Sequence, residues 1–243
     1  MNLLILGANS DVAQAVARRF AGRKADAICL ASRDTGLLAK RGRDIALRTG
    51  VKMHTCFFDA ADTASHHAFY DNLPEKPDMV VLAFGHMEEQ DTLRADFSRI
   101  HQMVMVNFVG AASILEIVAA DFEKRQGGMI VGISSVAGER GRRSNYLYGA
   151  SKSALTTLLS GLRNRLRGAD VRVMTVLPGF IRTKMTEHLD LPGLLTASPE
   201  QVAEDIARGV EKGRDILYTR WFWRWIMMII RWIPERVFKR LDL

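Results

Sequence analysis

Short apolar runs alternate along this chain with longer segments of helical period. A strand buried on both faces reads as an unbroken apolar run, and two parallel strands need a connection about as long as a helix between them. The alternation therefore predicts a parallel sheet with helices on both faces, a doubly wound α/β architecture. Strands are expected at Leu3 to Leu6, Ala27 to Ala31, Lys52 to Phe58, Met79 to Ala83, Met129 to Ile133, Arg172 to Leu177 and Ile216 to Tyr218, seven in all. Between the first two, Val12, Ala13, Val16, Ala17 and Phe20 make one apolar helix face, opened by Ser10 or Asn9 as cap. No repeat, low-complexity run or linker interrupts the pattern, and 243 residues at 48% hydrophobic and 25% charged suit a single domain. That domain is expected over residues 1–218, followed by an amphipathic helical tail over 219–243. Met1 to Leu6 is too short for the core of a secretion signal and reads as the first strand.

The turn Gly7-Ala8-Asn9-Ser10-Asp11-Val12-Ala13 falls between the first strand and the first helix, where a Rossmann fold holds a dinucleotide pyrophosphate. Glycine lets backbone approach phosphate, and the helix N-terminus supplies N–H groups and partial positive charge. Only Gly7 of the three fingerprint glycines is present, with Asp11 and Ala13 at the other two positions, so the turn alone reads equally as a plain connection. Asp11 must turn its carboxylate away from phosphate or cap the helix. Strand two ends in Ser32-Arg33-Asp34, near where the ribose 2′ position is read. A hydroxyl and a guanidinium suit a 2′-phosphate, which favours NADP(H) over NAD(H). The alternative is a solvated Arg33, with Asp34 on the ribose hydroxyl. Asp59 is a candidate for the adenine amino group, and Ala83, Phe84 and Gly85 for a place beside the adenine ribose.

Ser135 stands thirteen residues before Tyr148, and Lys152 four after it. Residues four apart on a helix share a face, so the ammonium can sit beneath the phenol. A phenol of pKa about 10 is a poor acid–base catalyst at neutral pH, and an adjacent cation is expected to lower it. Tyr148 can then protonate a carbonyl oxygen that Ser135 holds as hydride arrives. Tyr146 has Ala150 at the same offset, and reads as packing or substrate wall.

With these residues in place, the chain to about Tyr218 resembles the short-chain dehydrogenase/reductase family. The likeness rests on Gly7 to Ala13, Asn107 in Val106-Asn107-Phe108, Ser134-Ser135, Tyr148 with Lys152, and Pro178-Gly179-Phe180-Ile181-Arg182-Thr183. It implies a dimeric or tetrameric NADP(H)-dependent enzyme interconverting a ketone and a secondary alcohol. It further implies that Asn107, Ser135, Tyr148 and Lys152 form a catalytic tetrad, that Lys152 also holds the nicotinamide ribose, and that Asn107 helps position a proton-relay water. Pro178, Gly179, Ile181 and Thr183 are implied on the cofactor, the Ile181 backbone and Thr183 at its carboxamide and phosphates. The missing glycines, and Phe84 where the family usually has a small residue, depart from its pattern.

A narrower likeness, in Leu82 to Gly85 and Gly138 to Gly149, is to reductases of the decaprenylphosphoryl-2-keto-ribose type. It implies a keto-sugar on a polyprenyl phosphate. Arg140, Arg142 and Arg143, between the serine and the tyrosine, can clamp a phosphate bidentately, or else pair with Glu139 or face solvent. Arg182 and Lys184 carry the same ambiguity, and a substrate lid is expected around Thr183 to Ala197.

Trp221 to Ile233 holds all four tryptophans. As a helix it would align Arg220, Arg224 and Arg231 within about 40°, one cationic stripe on an apolar rod. Its thirteen residues make roughly 20 Å of helix, short of the ~30 Å hydrocarbon core of a bilayer. A helix lying on the cytoplasmic face of a membrane is expected, or one packed at a subunit interface or over the pocket. Val237, Phe238 and Leu241, with Arg236, Lys239 and Arg240 opposite, predict a second amphipathic turn. Most of the net charge of +7 belongs to this tail and lies among tryptophans, so nucleic acid is not expected as a partner.

Cys29 and Cys56, without a C-x-x-C, indicate neither a disulfide scaffold nor a zinc site, and a reducing cytoplasm is expected. His54, His66, His67, His86, His101 and His188 form no ligand pattern, and no metal is expected. Two classes of function remain: a reductase acting on a lipid-linked keto-sugar or a simpler acyl or sterol-like ketone, and a non-catalytic NADP-sensing scaffold. Ser135, Tyr148 and Lys152 together favour the enzyme.

Overall fold

The computed structural model describes residues 1–22, 25–183, 186 and 192–241. Lys184, His188 and the middle of the expected lid lie outside the described residues. All seven expected strands form, with ends moved by about one residue. The strands are β1 (Asn2–Leu6), β2 (Ala27–Ser32), β3 (Lys52–Phe57), β4 (Met79–Leu82), β5 (Gly128–Ile133), β6 (Val171–Pro178), β7 (Phe180–Ile181), β8 (Thr196–Ala197) and β9 (Ile216–Thr219). Seven build one parallel sheet in the order β3-β2-β1-β4-β5-β6-β9, and β7 pairs with β8 in a small separate ladder that no sequence pattern announced.

The helices are α1 (Asp11–Ala21), α2 (Thr35–Thr49), α3 (His66–Asp71), α4 (Gln90–Ala95), α5 (Phe97–Val104), α6 (Ala111–Arg125), α7 (Tyr146–Arg165), α8 (Pro199–Glu211), α9 (Trp223–Trp232) and α10 (Glu235–Phe238). Because side chains alternate across a strand, the apolar runs feed two cores. Leu3, Ile5, Ile28, Leu30, Val81 and Val131 face Val12, Val16 and Phe20 of α1 and Val202 and Ile206 of α8. Leu4, Leu6, Val80, Leu82 and Ile130 face Ile114, Val118 and Phe122 of α6 and Leu155 and Leu159 of α7. The helical run Phe97–Arg125 is long and apolar enough to cross a membrane, yet its α6 part is one wall of this second core.

Strand order reverses between β1 and β4, which leaves a crevice beyond the carboxyl ends of the strands. The registers Leu6↔Ala31 and Leu6↔Leu82 bring Gly7, Ser32 and Ala83 to that edge together. A third, small core of Val136, Leu177, Trp223 and Met227 fastens α9 over the far end of the crevice. One expectation fails here. Arg220 does not join the helical stripe, because it stands before α9 in the left-handed region at φ 59°. Its guanidinium instead reaches the Leu194 carbonyl at 3.3 Å and lies over the Phe222 ring.

Candidate active site

Ser135 leaves β5 in extended backbone, and its Oγ accepts from the Ala137 N–H at 3.1 Å, starting a short turn over Val136–Gly138. Tyr148 sits in the first turn of α7 and Lys152 one turn on, as the four-residue spacing requires. Ser135 is hydrogen-bonded to the Tyr148 hydroxyl. Lys152 is 4% exposed, and its Nζ donates to the Ile133 carbonyl at 3.2 Å and lies 5.9 Å from the centre of the Tyr148 ring. Neighbouring α7 contacts fix the pair: Ser134 Oγ donates to the Lys152 carbonyl at 2.9 Å and meets Thr156 Oγ1 at 2.7 Å.

The electrostatics correct the sequence reading. Burial pushes the Tyr148 phenol up to about 12, with the Ser135 hydrogen bond pulling the other way, and the expected lowering by Lys152 is absent. Lys152 itself is brought down to about 8 by burial. At neutral pH, Tyr148 is therefore a protonated phenol, the form that can give a proton to a carbonyl oxygen.

Asn107 lies in a π-helical turn, Met105–Gly110, joining α5 to α6, and is 1% exposed. Its Nδ2 donates to the His86 carbonyl at 2.8 Å and to Ser151 Oγ at 2.9 Å, while its Oδ1 accepts from the His86 N–H at 2.7 Å. Ser151 Oγ in turn donates to the Tyr148 carbonyl at 2.7 Å. Asn107 thus ties the π turn, the strand β4 exit and α7 into one unit. Sequence reasoning missed Ser151 and His86; serine three residues past the tyrosine carries no signal of its own. Beyond them, hydrogen bonds from His86 and Arg99 hold the Glu88 carboxyl below its usual range.

At the other end of the crevice, Gly7 adopts φ 79°, and a Cβ there would lie 2.5 Å from the Phe84 nitrogen, so only glycine fits. Gly7 and Ala8 donate to the Ala31 carbonyl at 2.9 and 3.1 Å. Ser10 is the helix cap, accepting from the Ala13 N–H at 3.1 Å, and Val12 is buried beneath it. Asp11 is spared that role: it lines an outer cleft of about 470 Å³ between α1, α2 and α8, with Arg18, Arg41 and Arg182. Asn9 Nδ2 donates to Ser32 Oγ at 3.3 Å and to the Asp34 carbonyl at 3.1 Å, leaving its buried Oδ1 without a partner. The Asp34 carboxylate caps α2, accepting from the Leu37 N–H at 2.9 Å, while Arg33 is exposed beside it. Arg41, unremarked in the sequence, reaches the Asn9 carbonyl at 2.8 Å.

Asp59 accepts from the Ala61 N–H at 3.0 Å, and its carbonyl meets buried His66 at 3.0 Å. Ala83 and Phe84 are half-buried past β4, and Gly85 borders Lys152 Nζ. Pro178 ends β6, Gly179 abuts the Trp223 ring so closely that any Cβ would collide with it, and Ile181 lies in β7. Thr183 donates its N–H to Thr186 Oγ1 at 3.1 Å.

Arg140 is engaged by the tail, the ion-paired alternative with Glu235 in place of Glu139. Its guanidinium donates to the carbonyls of Arg231 and Ile233 at 3.2 and 3.3 Å, pairs with Glu235 at 2.7 Å and lies over Phe238 at 4.2 Å. It is a clamp for the tail, satisfying carbonyls that the end of α9 leaves open. Arg142 and Arg143 line a cleft of about 230 Å³ with Lys239 and Arg240 of the tail. Burial holds the Arg142 guanidinium below its ordinary range. Tyr146 opens α7 and is 43% exposed.

A family model described as short chain dehydrogenase matches residues 1–192. An uncharacterized oxidoreductase of Mycobacterium tuberculosis is 32% identical over 242 residues, covering 98% of this chain and 96% of that one. Another, from Streptomyces coelicolor, is 33% identical over 245 residues, covering 99% and 95%. Among solved structures, a short-chain dehydrogenase from Sphingobium yanoikuyae in complex with NADPH superposes with a TM-score of 0.83 at 21% identity, covering 96% of both chains.

Proposed function

Since this chain belongs to the short chain dehydrogenase family, we propose that it is an NADP(H)-dependent reductase that takes a lipid-borne ketone to the secondary alcohol, with Tyr148 as proton donor. The observation that carries this reading is the convergence of Ser135 and Lys152 on a phenol kept protonated at neutral pH.

The residues at the strand ends fit the cofactor. Gly7, at φ 79° against the Phe84 backbone, makes the sharp turn out of β1, and the N-terminus of α1 with its free N–H groups follows it, where a pyrophosphate would be held. The orphaned Asn9 Oδ1 has a place for a ribose hydroxyl as donor. Asp34, committed to capping α2, leaves the 2′ position to Ser32 and Arg33, which favours a 2′-phosphate and so NADP(H) over NAD(H). The NADPH held by the Sphingobium protein agrees with this preference. A reduced nicotinamide bound there supplies hydride to the carbonyl carbon.

The chain's own residues do the rest. Ser135 donates to the carbonyl oxygen and orients it. The Tyr148 O–H gives its proton to that oxygen as the carbinol C–H bond forms, so that one ketone, one reduced cofactor and one proton yield one alcohol and one oxidised cofactor. The Lys152 ammonium stands close enough to stabilise the phenolate left behind, and Asn107 holds the His86 backbone and Ser151 fixed around the pair. Subunits of such an enzyme associate as dimers or tetramers in our reading.

For the substrate, we favour a keto-sugar on a polyprenyl phosphate, with Arg142 and Arg143 as the remaining phosphate ligands. The test is NADPH oxidation by the purified chain with a polyprenyl-phospho 2-keto-pentose, an acyl ketone and a steroid ketone. Turnover on the keto-sugar, one NADPH per alcohol, is the expected result. Turnover confined to the simpler ketones would keep Tyr148 chemistry and discard the sugar. NADPH binding with no turnover on any of them would make the chain a sensing scaffold and overturn the proposal.

A further inference from the structure

Helix α9 is apolar on two opposite faces. Trp223 and Met227 are buried, and Ile226 and Ile230 half-buried, against Val136, Leu177 and Phe180. Trp223 Nε1 also donates to the Leu195 carbonyl at 3.2 Å, and its ring meets Phe180 edge-on with centroids 5.4 Å apart. Counting about 100° per residue, this buried face centres near Trp223 and Ile230, and the opposite side carries Met228, Trp232, Trp225 and Ile229. Those four are 45, 80, 50 and 63% exposed, and Trp221 just before the helix is 73% exposed. A soluble chain rarely leaves so contiguous an apolar surface uncovered without a use for it.

The rim of that surface is cationic. Arg224 and Arg231 line one edge of it along α9, Arg231 also reaching Glu139 at 3.5 Å, and Arg236, Lys239 and Arg240 are exposed around α10. Glu235, the one acid among the described residues after Arg220, is already paired with Arg140.

We propose that the outer face of α9, with the cations around it, docks on an anionic phospholipid bilayer, lying in its plane. Charge complementarity chooses this occupant. A second copy seated symmetrically on the same face would bring these cations against their own equivalents, whereas anionic headgroups neutralise them. Tryptophan and arginine side chains suit the headgroup boundary, where rings sink and guanidiniums stay at the phosphates. Ten residues of helix, about 15 Å, are too short to cross the ~30 Å hydrocarbon core.

The inner face of α9 rests on Val136, just after Ser135, and on Gly179 and Phe180. Docking therefore sets the mouth of the Tyr148 crevice at the lipid surface, where a ketone carried by a lipid can enter without crossing water. The docking itself rests on the tail alone and stands or falls apart from the chemistry of Tyr148.

The test is flotation of the full chain with vesicles of phosphatidylcholine containing phosphatidylglycerol, beside phosphatidylcholine alone, with tryptophan quenching by acyl-brominated lipid. The expected result is flotation with the anionic vesicles, weakened by salt, and quenching of the tail tryptophans. The triple variant Trp225→Ser, Ile229→Ser, Trp232→Ser should partition on the order of tenfold or more weakly. Its melting temperature and its NADPH binding should match the unaltered chain. Failure of the unaltered chain to float, or flotation of the triple variant at full strength, would overturn the proposal. So would a dimer that the triple variant splits in the absence of vesicle binding, which would assign the face to a second copy.

Discussion

On the inward side of α7, the polar groups that frame Tyr148 and Lys152 meet partners: Ser134 on the Lys152 carbonyl, Ser151 between Asn107 and the Tyr148 carbonyl, and Lys152 on Ile133. On the outward side of α9, Trp225, Ile229 and Trp232 stand half or more exposed above a buried inner face. The first helix is rigid because its polar atoms are satisfied at fixed distances, which is what acid–base chemistry needs from its groups. The second is fixed by one face only, and its other face offers surface. Local completeness marks where chemistry is done, and local incompleteness marks where a partner is met.

The contrast can be broken most sharply at Tyr148. Tyr148→Phe removes one hydroxyl, and should cost about a thousandfold in turnover while NADPH still binds. Retained turnover would move the proton donor elsewhere. On α9, Trp223→Ala empties a buried site against Phe180 and Leu195, and should cost about 3–5 kcal/mol in denaturant unfolding. A loss below about 1 kcal/mol would mean that α9 is not anchored by this face.

A smaller effect sharpens the electrostatic side. Lys152, lowered to about 8, is an ammonium below that pH and neutral above it, whereas Tyr148, near 12, stays a phenol throughout. The kcat/KM for ketone reduction should be level through neutral pH and fall above about 8. A profile flat well into the alkaline range would remove the ammonium from the mechanism. Smallest of all, Trp232→Ser should change unfolding stability by no more than about 0.5 kcal/mol, since that ring is 80% exposed. A large loss there would show that the outer face is part of the folded core.

The sheet was legible because buried parallel strands are unbroken apolar runs, and Leu3 to Leu6 or Met79 to Leu82 offer no other reading. β7 and β8, two residues each, are too short for any period to register. The spacing of Tyr148 and Lys152 carried through because a helix converts four residues directly into a shared face. Their ionisation did not, since burial is a property of the whole fold. The fate of Arg140 was equally invisible: its partners at Arg231, Ile233 and Glu235 lie more than ninety residues away, and only the folded-back tail supplies them. Cys29 and Cys56 met for the same reason, as neighbours on β2 and β3 although 27 residues apart. Asn107 is held by a π turn and by Ser151, neither of which leaves a trace in sequence.

The most direct measurement follows the transferred atom. With NADPH deuterated at the reactive position of the nicotinamide and a lipid-borne ketone, product isolated from vesicles should carry one deuterium at the carbinol carbon for each NADPH consumed. Bound NADPH with no deuterium in any product would contradict the account and leave a protein that holds the cofactor without using it.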